Sequence, residues 1–178
     1  RAEDLFYAAL LPSGADACVA LAEHIAGSEA AFAELMNQKA AEIGMKDTHF
    51  VNTHGLHDAA QYSTASDLAR LLRYALDNER FRTIFTTMQY TTAPTNKHPE
   101  GLSFRSTLLY FTEGHLEFAG GRFLGGKSGF TNAAGQCLAT LAKKDDEEYI
   151  LVTLGADGTD RKKRLQIADA VAIYSATG

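Results

Sequence analysis

Gly120-Gly121-Arg122-Phe123-Leu124-Gly125-Gly126-Lys127-Ser128-Gly129-Phe130-Thr131 is the stretch on which the fold turns. Glycine recurs in it too often for a helix interior, where each glycine costs about 1 kcal/mol against alanine. It reads instead as a strand edge presenting a lysine and hydroxyls between glycines. Downstream, Gln136 to Lys143 and Glu148 to Gly155 are strand-like runs joined by Lys144-Asp145-Asp146-Glu147, a charged, solvated turn. Together they predict an antiparallel hairpin.

The same stretch fits another pattern. Residues 121–128 match G-x-x-x-x-G-K-[ST], the phosphate-binding loop. That loop opens a helix whose backbone N–H groups and dipole meet the phosphate. Here Gly129, Thr131, Asn132 and Gly135 follow, and then the hairpin. A nucleoside triphosphatase is therefore kept only as a remote alternative.

Upstream the chain is mostly helical. Leu5, Phe6, Ala9 and Leu10 fall at helical spacing until Pro12-Ser13-Gly14 interrupts them. Asp16 opens a second helix that Gly27 closes, and Ser28 is placed to cap a third. The third carries Phe32, Leu35, Met36 and Ile43 on one face before Gly44. Lys46 to Gln61 is polar and rich in His, Asn and Asp, which predicts an irregular loop. Ser63 or Thr64 caps the next helix, with Leu68, Leu71, Leu72 and Ala75 as its buried stripe. From Ile84 to Thr92 β-branched and aromatic residues dominate, Ala93-Pro94-Thr95-Asn96 is a loop, and Asp160 to Ala176 returns to helix. Met36, Met45 and Met88 read as core filler. Helices first, then strands and a closing helix, predict an α+β fold: 1–87 mainly helical, 88–178 mainly sheet with a C-terminal helix.

Bulk properties narrow the function. The 178 residues are 46% hydrophobic, enough for one domain with its own core. A net charge of −5 argues against nucleic acid as a partner, since phosphate binding wants a basic face. No apolar run approaches the ~20 residues of a membrane span, and no signal peptide is visible. Cys18 and Cys137 could bridge or stay as thiols, so they leave the redox compartment open. His49, His54 and His57 beside Asp58 match no common zinc spacing, and a hydrogen-bonded loop is the simpler reading. No metal or organic cofactor is implied.

Two short motifs carry chemistry. Pro12-Ser13-Gly14-Ala15-Asp16 holds a serine on a turn between helices; Gly126-Lys127-Ser128-Gly129-Phe130-Thr131 holds a lysine on a strand edge. Taken alone, a serine and glycine after proline are simply a turn. Serine acyl-transfer enzymes of one kind combine S-x-x-K, a middle serine motif and K-[ST]-G. A serine must lose its proton near neutral pH, so lysine amines and a second hydroxyl form a relay around it.

The flanking sequence adds specificity. Glu3-Asp4-Leu5-Phe6-Tyr7-Ala8-Ala9-Leu10-Leu11-Pro12-Ser13-Gly14 resembles the helix-to-turn segment of the serine D-alanyl-D-alanine carboxypeptidases, the low-molecular-weight penicillin-binding proteins. Ala22 to Ser28, Gly44 to Asn52, His54-Gly55-Leu56, Tyr62-Ser63-Thr64-Ala65 and Lys127 to Thr131 with Ala134-Gly135 resemble the family in its order. The resemblance extends from residue 1 to about Gly155. It implies a serine β-lactamase/penicillin-binding transpeptidase-like fold and release of the terminal D-alanine from peptidoglycan stem peptides. It also implies trapping by β-lactams and an extracytoplasmic place in a bacterium. Ser13 resembles the middle serine and Lys127 the lysine of K-[ST]-G, with Ser128 where threonine is usual. Gly129 follows, Phe130 would offer its backbone N–H to the oxyanion, and Thr131 would line the carboxylate side.

Two departures matter. Ala15 stands where the family pattern has asparagine, which admits an inactive peptidoglycan-binding or regulatory relative as an alternative. No serine has lysine three positions on, so the S-x-x-K nucleophile is expected on a missing N-terminal segment with the first strands of the sheet. Losing a central helix and strands costs more than a domain's usual ~5–15 kcal/mol of stability. The chain is therefore expected to need a companion N-terminal fragment, or another copy, to fold.

Overall fold

A computed structural model describes residues 1–177. Helices occupy the first half: α1 (Ala2–Leu10), α2 (Ala15–Ala26), α3 (Glu29–Glu42), α4 (Ala65–Leu76) and α5 (Glu79–Thr86). A two-stranded ribbon, β1 (Gln89–Thr91) with β2 (Ser103–Arg105), and the short α6 (Thr107–Phe111) lead to the main sheet. That sheet is antiparallel, in the order β3 (Glu117–Phe118), β4 (Gly121–Thr131), β5 (Gly135–Lys144) and β6 (Glu147–Ala156). A 3-10 turn (Arg161–Lys163) and α7 (Leu165–Ala176) close the described chain.

The stretch from Gly121 to Thr131 is one continuous strand, followed by a turn and β5, with no helix after Lys127 and Ser128. The phosphate-loop geometry is therefore absent. Its glycines have another reason: a Cβ on Gly125 would come within 2.5 Å of the Phe85 carbonyl oxygen. The β5–β6 hairpin closes at Lys144↔Glu147 through Asp145 and Asp146, both at positive φ, as a two-residue turn matched to strand twist requires.

Side-chain caps fix the starts of α3, α4 and α5. Ser28 accepts from the Ala31 amide, and Thr64, not Ser63, caps α4 by accepting from Asp67. α5 runs further than composition suggests, through Ile84 and Phe85 to Thr86. Asn78 caps its start, and the hydroxyls of Thr83, Thr86 and Thr87 bond back to carbonyls four residues earlier. Local hydrogen bonding and burial of Ile84 and Phe85 override β propensity there. In α3 the buried residues are Ala33 and Ala40, while Leu35 is exposed.

The two faces of the main sheet differ. One packs on α7 through Phe123, Leu138, Ala142, Ala170 and Tyr174, whose hydroxyl meets Thr140 at 2.8 Å. The other is partly covered by α4 and α5, where Leu72, Leu76, Phe85 and Leu141 form a second cluster. The rest of that face is open. Leu68, Leu71 and Ala75, expected to be buried, line an apolar groove of about 390 Å³ with Leu10, Ala139, Val152 and Leu154.

Residues 46–61 lack helix or paired strand apart from the His49 bridge to Tyr62. Side chains supply the missing hydrogen bonds. Buried Asp67 accepts from the Asp47 amide and the Thr48 hydroxyl, both at 2.8 Å. Asn37 pairs with both backbone groups of Phe50, and Gln61 accepts from Val51 and Asn52. No helix among the described residues is long and apolar enough to cross a membrane.

Candidate active site

α1 ends at Leu10, and the chain turns through Pro12 and Ser13 into α2. Ser13 takes a positive φ of 62°, uncommon outside glycine, which lifts its side chain out of both helices. Two bonds hold the turn: the Gly14 amide donates to the Ala8 carbonyl at 2.9 Å, and Thr107 donates to Leu11 at 3.1 Å. A Cβ on Gly14 would crowd the Ala8 carbonyl oxygen at 2.9 Å, so the tight approach wants glycine there.

Lys127 reaches this turn from β4. Its Nζ donates to the Ser13 hydroxyl, and to the Ser128 carbonyl at 2.6 Å. Burial pushes the Lys127 ammonium below its ordinary pKa, with weak opposition from Cys18. A lysine that loses its charge more readily, touching a hydroxyl, is equipped to pass a proton. Burial raises the Cys18 thiol pKa, although Lys127 opposes that, which disfavours its thiolate. Ser128 turns to the other face of β4 and donates to the Thr107 hydroxyl at 2.9 Å.

These groups open on a cleft of about 430 Å³. Ser13, Lys127, Ser128, Gly129 and Phe130 all line it, as does Ala15. Thr131 stands outside that lining; its hydroxyl accepts from Ala134 and caps the β4–β5 turn. The cleft also contains residues that the sequence reading did not assign a role. Thr107 and His54 line it, and so does Arg161, whose guanidinium lies 4.4 Å over the Phe130 ring. Arg161 belongs to the run Arg161-Lys162-Lys163-Arg164, in which charge alone distinguishes no member. Lys127 and Arg161 together make a cationic cleft suited to a carboxylate.

The histidines do not converge. His49 faces Tyr62 and His54 faces Glu29, and among the described residues no group of three metal-ligating side chains forms. Cys18 and Cys137 are both free thiols.

The sequence profile of the D-alanyl-D-alanine carboxypeptidases matches residues 1–158. The chain belongs to that family. It is 35% identical over 156 residues to D-alanyl-D-alanine carboxypeptidase DacD of Escherichia coli, covering 86% of this chain and 37% of that protein. It is 35% identical over 158 residues to DacF of Bacillus subtilis, covering 88% of this chain and 38% of the relative. The chain thus spans a little over a third of the length of these carboxypeptidases. Among solved structures, the Streptomyces K15 DD-transpeptidase superposes with a TM-score of 0.78 at 28% identity, over 97% of this chain and 66% of that one. A D-alanyl-D-alanine carboxypeptidase from Mycobacterium tuberculosis gives 0.77 at 23% identity, over 97% of this chain and 64% of that one, which speaks to fold. The α+β fold is that of the penicillin-binding DD-peptidases.

Proposed function

We propose that this chain supplies two of the three catalytic motifs of a serine D-alanyl-D-alanine carboxypeptidase, which removes the terminal D-alanine of peptidoglycan stem peptides through an acyl-enzyme. The contact between Lys127 and Ser13 at the mouth of a cationic cleft carries this reading. Ser13 shuttles a proton between nucleophile, leaving group and Lys127. Ser128, backed by Thr107, and Arg161 meet the substrate carboxylate, Gly129 lets the peptide backbone approach, and the Phe130 N–H faces the oxyanion. β-Lactams trap the same acyl-enzyme. The protein works outside the cytoplasm, where peptidoglycan is.

The nucleophile lies on a companion segment outside these 178 residues. The sequence holds no S-x-x-K, and the apolar groove beside Lys127 suits a helix with one apolar face. On this reading the 178 residues form an incomplete catalytic domain and are inactive alone. One observation favours a second reading: Ala15 lines the cleft with a methyl where the family pattern has an amide, which suits a relative that binds peptidoglycan without turnover.

Fluorescent penicillin separates the two. With the complete protein on a denaturing gel, label outside residues 1–178 supports the carboxypeptidase. Absence of label favours the inactive relative, and label within these residues overturns the placement of the nucleophile.

A further inference from the structure

His54, Gly55 and Leu56 form one wall of the cleft, yet they belong to an irregular loop. Their attachment to the helices runs through a single carboxylate oxygen. Glu29 Oε1 accepts from the Thr53 amide at 2.9 Å and from the Thr53 hydroxyl at 2.6 Å, and His54 Nε2 approaches it at 3.6 Å. His54 is gripped from its other side too, because its Nδ1 accepts from the Leu56 amide at 3.2 Å. Asn52 completes the turn, accepting from Gly55 and donating to the Leu56 carbonyl. Glu29 thus anchors the residue before the wall by two hydrogen bonds and touches His54 electrostatically, while bonds linking Leu56 to His54 and Asn52 close the turn.

Glu29 is suited to this task. It is the first residue of α3, directly after the Ser28 cap, where the helix dipole favours a negative charge. The bonds from Thr53, with help from His54, hold its carboxyl below the usual range. It does not itself line the cleft.

We propose that Glu29 is a positioning residue, which fixes the His54–Leu56 wall and thereby sets how tightly the cleft accepts its peptide. The substrate half of this proposal rests on the carboxypeptidase reading. A wall that is already ordered spares the complex the cost of ordering it. Because none of the wall's hydrogen bonds involves Lys127 or Ser13, loosening it weakens ground state and transition state alike, which raises KM and leaves kcat in place.

The test uses the complete protein, an N-acylated peptide ending in D-Ala-D-Ala, and amide exchange at Thr53 and Leu56. In Glu29→Ala, KM is expected to rise about fivefold to tenfold at nearly constant kcat, with exchange at Thr53 faster by about tenfold. Glu29→Gln keeps an acceptor oxygen and restores both readouts; Glu34→Ala, an exposed neighbour on α3, changes neither. Unchanged exchange at Thr53 in Glu29→Ala overturns the proposal, as does faster exchange with unchanged KM. Failure of Glu29→Gln to restore either readout overturns its hydrogen-bond basis. A wild-type protein that releases no D-alanine sinks the carboxypeptidase reading, and with it the substrate half here. Exchange at Thr53 then still decides whether Glu29 holds the loop.

Discussion

The ammonium of Lys127 donates a hydrogen bond to the hydroxyl of Ser13, a residue 114 positions earlier in the chain. Helix end and strand meet there because Ser13 adopts a positive φ outside the helical region and the Thr107 amide ties the turn through the Leu11 carbonyl. Burial shifts the lysine toward its neutral form, and the first prediction follows from that shift.

The proposed relay through Lys127 needs the neutral amine, whose fraction grows as pH rises through a pKa below the ordinary 10.5. Acylation of the complete protein by penicillin is expected to rise with pH across that range. In Lys127→Arg the guanidinium stays charged, so the rise should vanish and the rate should fall about 100-fold or more. Stopped-flow acylation at a series of pH values checks both. Stability has its own sign. The unfolded lysine keeps its proton up to about 10.5, so between the depressed folded pKa and that value stability increases with pH. Lys127→Met should raise the denaturant midpoint at neutral pH, by an amount that shrinks as pH approaches 10.5.

Asp67 is nearly inaccessible to solvent, and one of its oxygens accepts from the Asp47 amide and the Thr48 hydroxyl. Asp67→Ala strands the Asp47 amide at the start of the 46–61 loop and leaves the Thr48 hydroxyl only Ser63 as a partner. A loss of about 2 to 3 kcal/mol in urea unfolding is expected, with Asp67→Asn retaining much of it because an amide oxygen still accepts. Equal losses for the two variants would show that the charge, not the acceptor, is what the site needs.

Those cases also show where sequence was enough. The β5–β6 hairpin and the cap at Ser28 were legible because each depends on neighbours a few residues away. The closing helix was legible but read from Asp160, where a 3-10 turn precedes its start at Leu165. The α4 cap was narrowed only to Ser63 or Thr64. The end of α5 was not, since burial of Ile84 and Phe85 against distant partners outweighed local preference. In the site, Ser13 and Lys127 could be read from short motifs. Arg161 could not, because only the fold selects it from four adjacent cations and lays it over Phe130. The Glu29 contact with Thr53 spans 24 residues and leaves no local pattern. Thr131 shows the converse: a motif position used for turn capping instead of the cleft.

Gly125 tests whether the glycines serve packing. It is buried, and an added methyl would meet the Phe85 carbonyl oxygen at 2.5 Å and its ring at 2.9 Å. Backbone cannot yield as a flexible side-chain tip can, so Gly125→Ala should cost about 1 to 3 kcal/mol and lower the melting temperature. Gly129 is exposed, and its nearest neighbour would be Cys137 Cβ at 3.9 Å. Gly129→Ala should therefore leave the melting temperature nearly unchanged while slowing penicillin acylation, since the methyl enters the cleft. A melting loss at Gly129 as large as at Gly125 would refute this division of labour.

Ala15 stands where the motif resemblance implies asparagine. It is the first residue of α2 and lines the cleft two residues after Ser13, so its side chain borders the relay. A methyl there offers neither donor nor acceptor. In Ala15→Asn the amide could meet a substrate carbonyl or N–H, and asparagine is tolerated at a helix start. One added hydrogen bond is worth about 1 kcal/mol, so D-alanine release by the complete protein should rise about fivefold to tenfold. If the wild-type protein is instead the inactive relative, with only this amide missing, turnover should appear in the variant from an undetectable start. No gain in Ala15→Asn, with penicillin labelling intact in the wild type, would mean that Ser13, Lys127 and Arg161 support the nucleophile without help from an amide at position 15. The asparagine of the family pattern would then serve peptide selection alone.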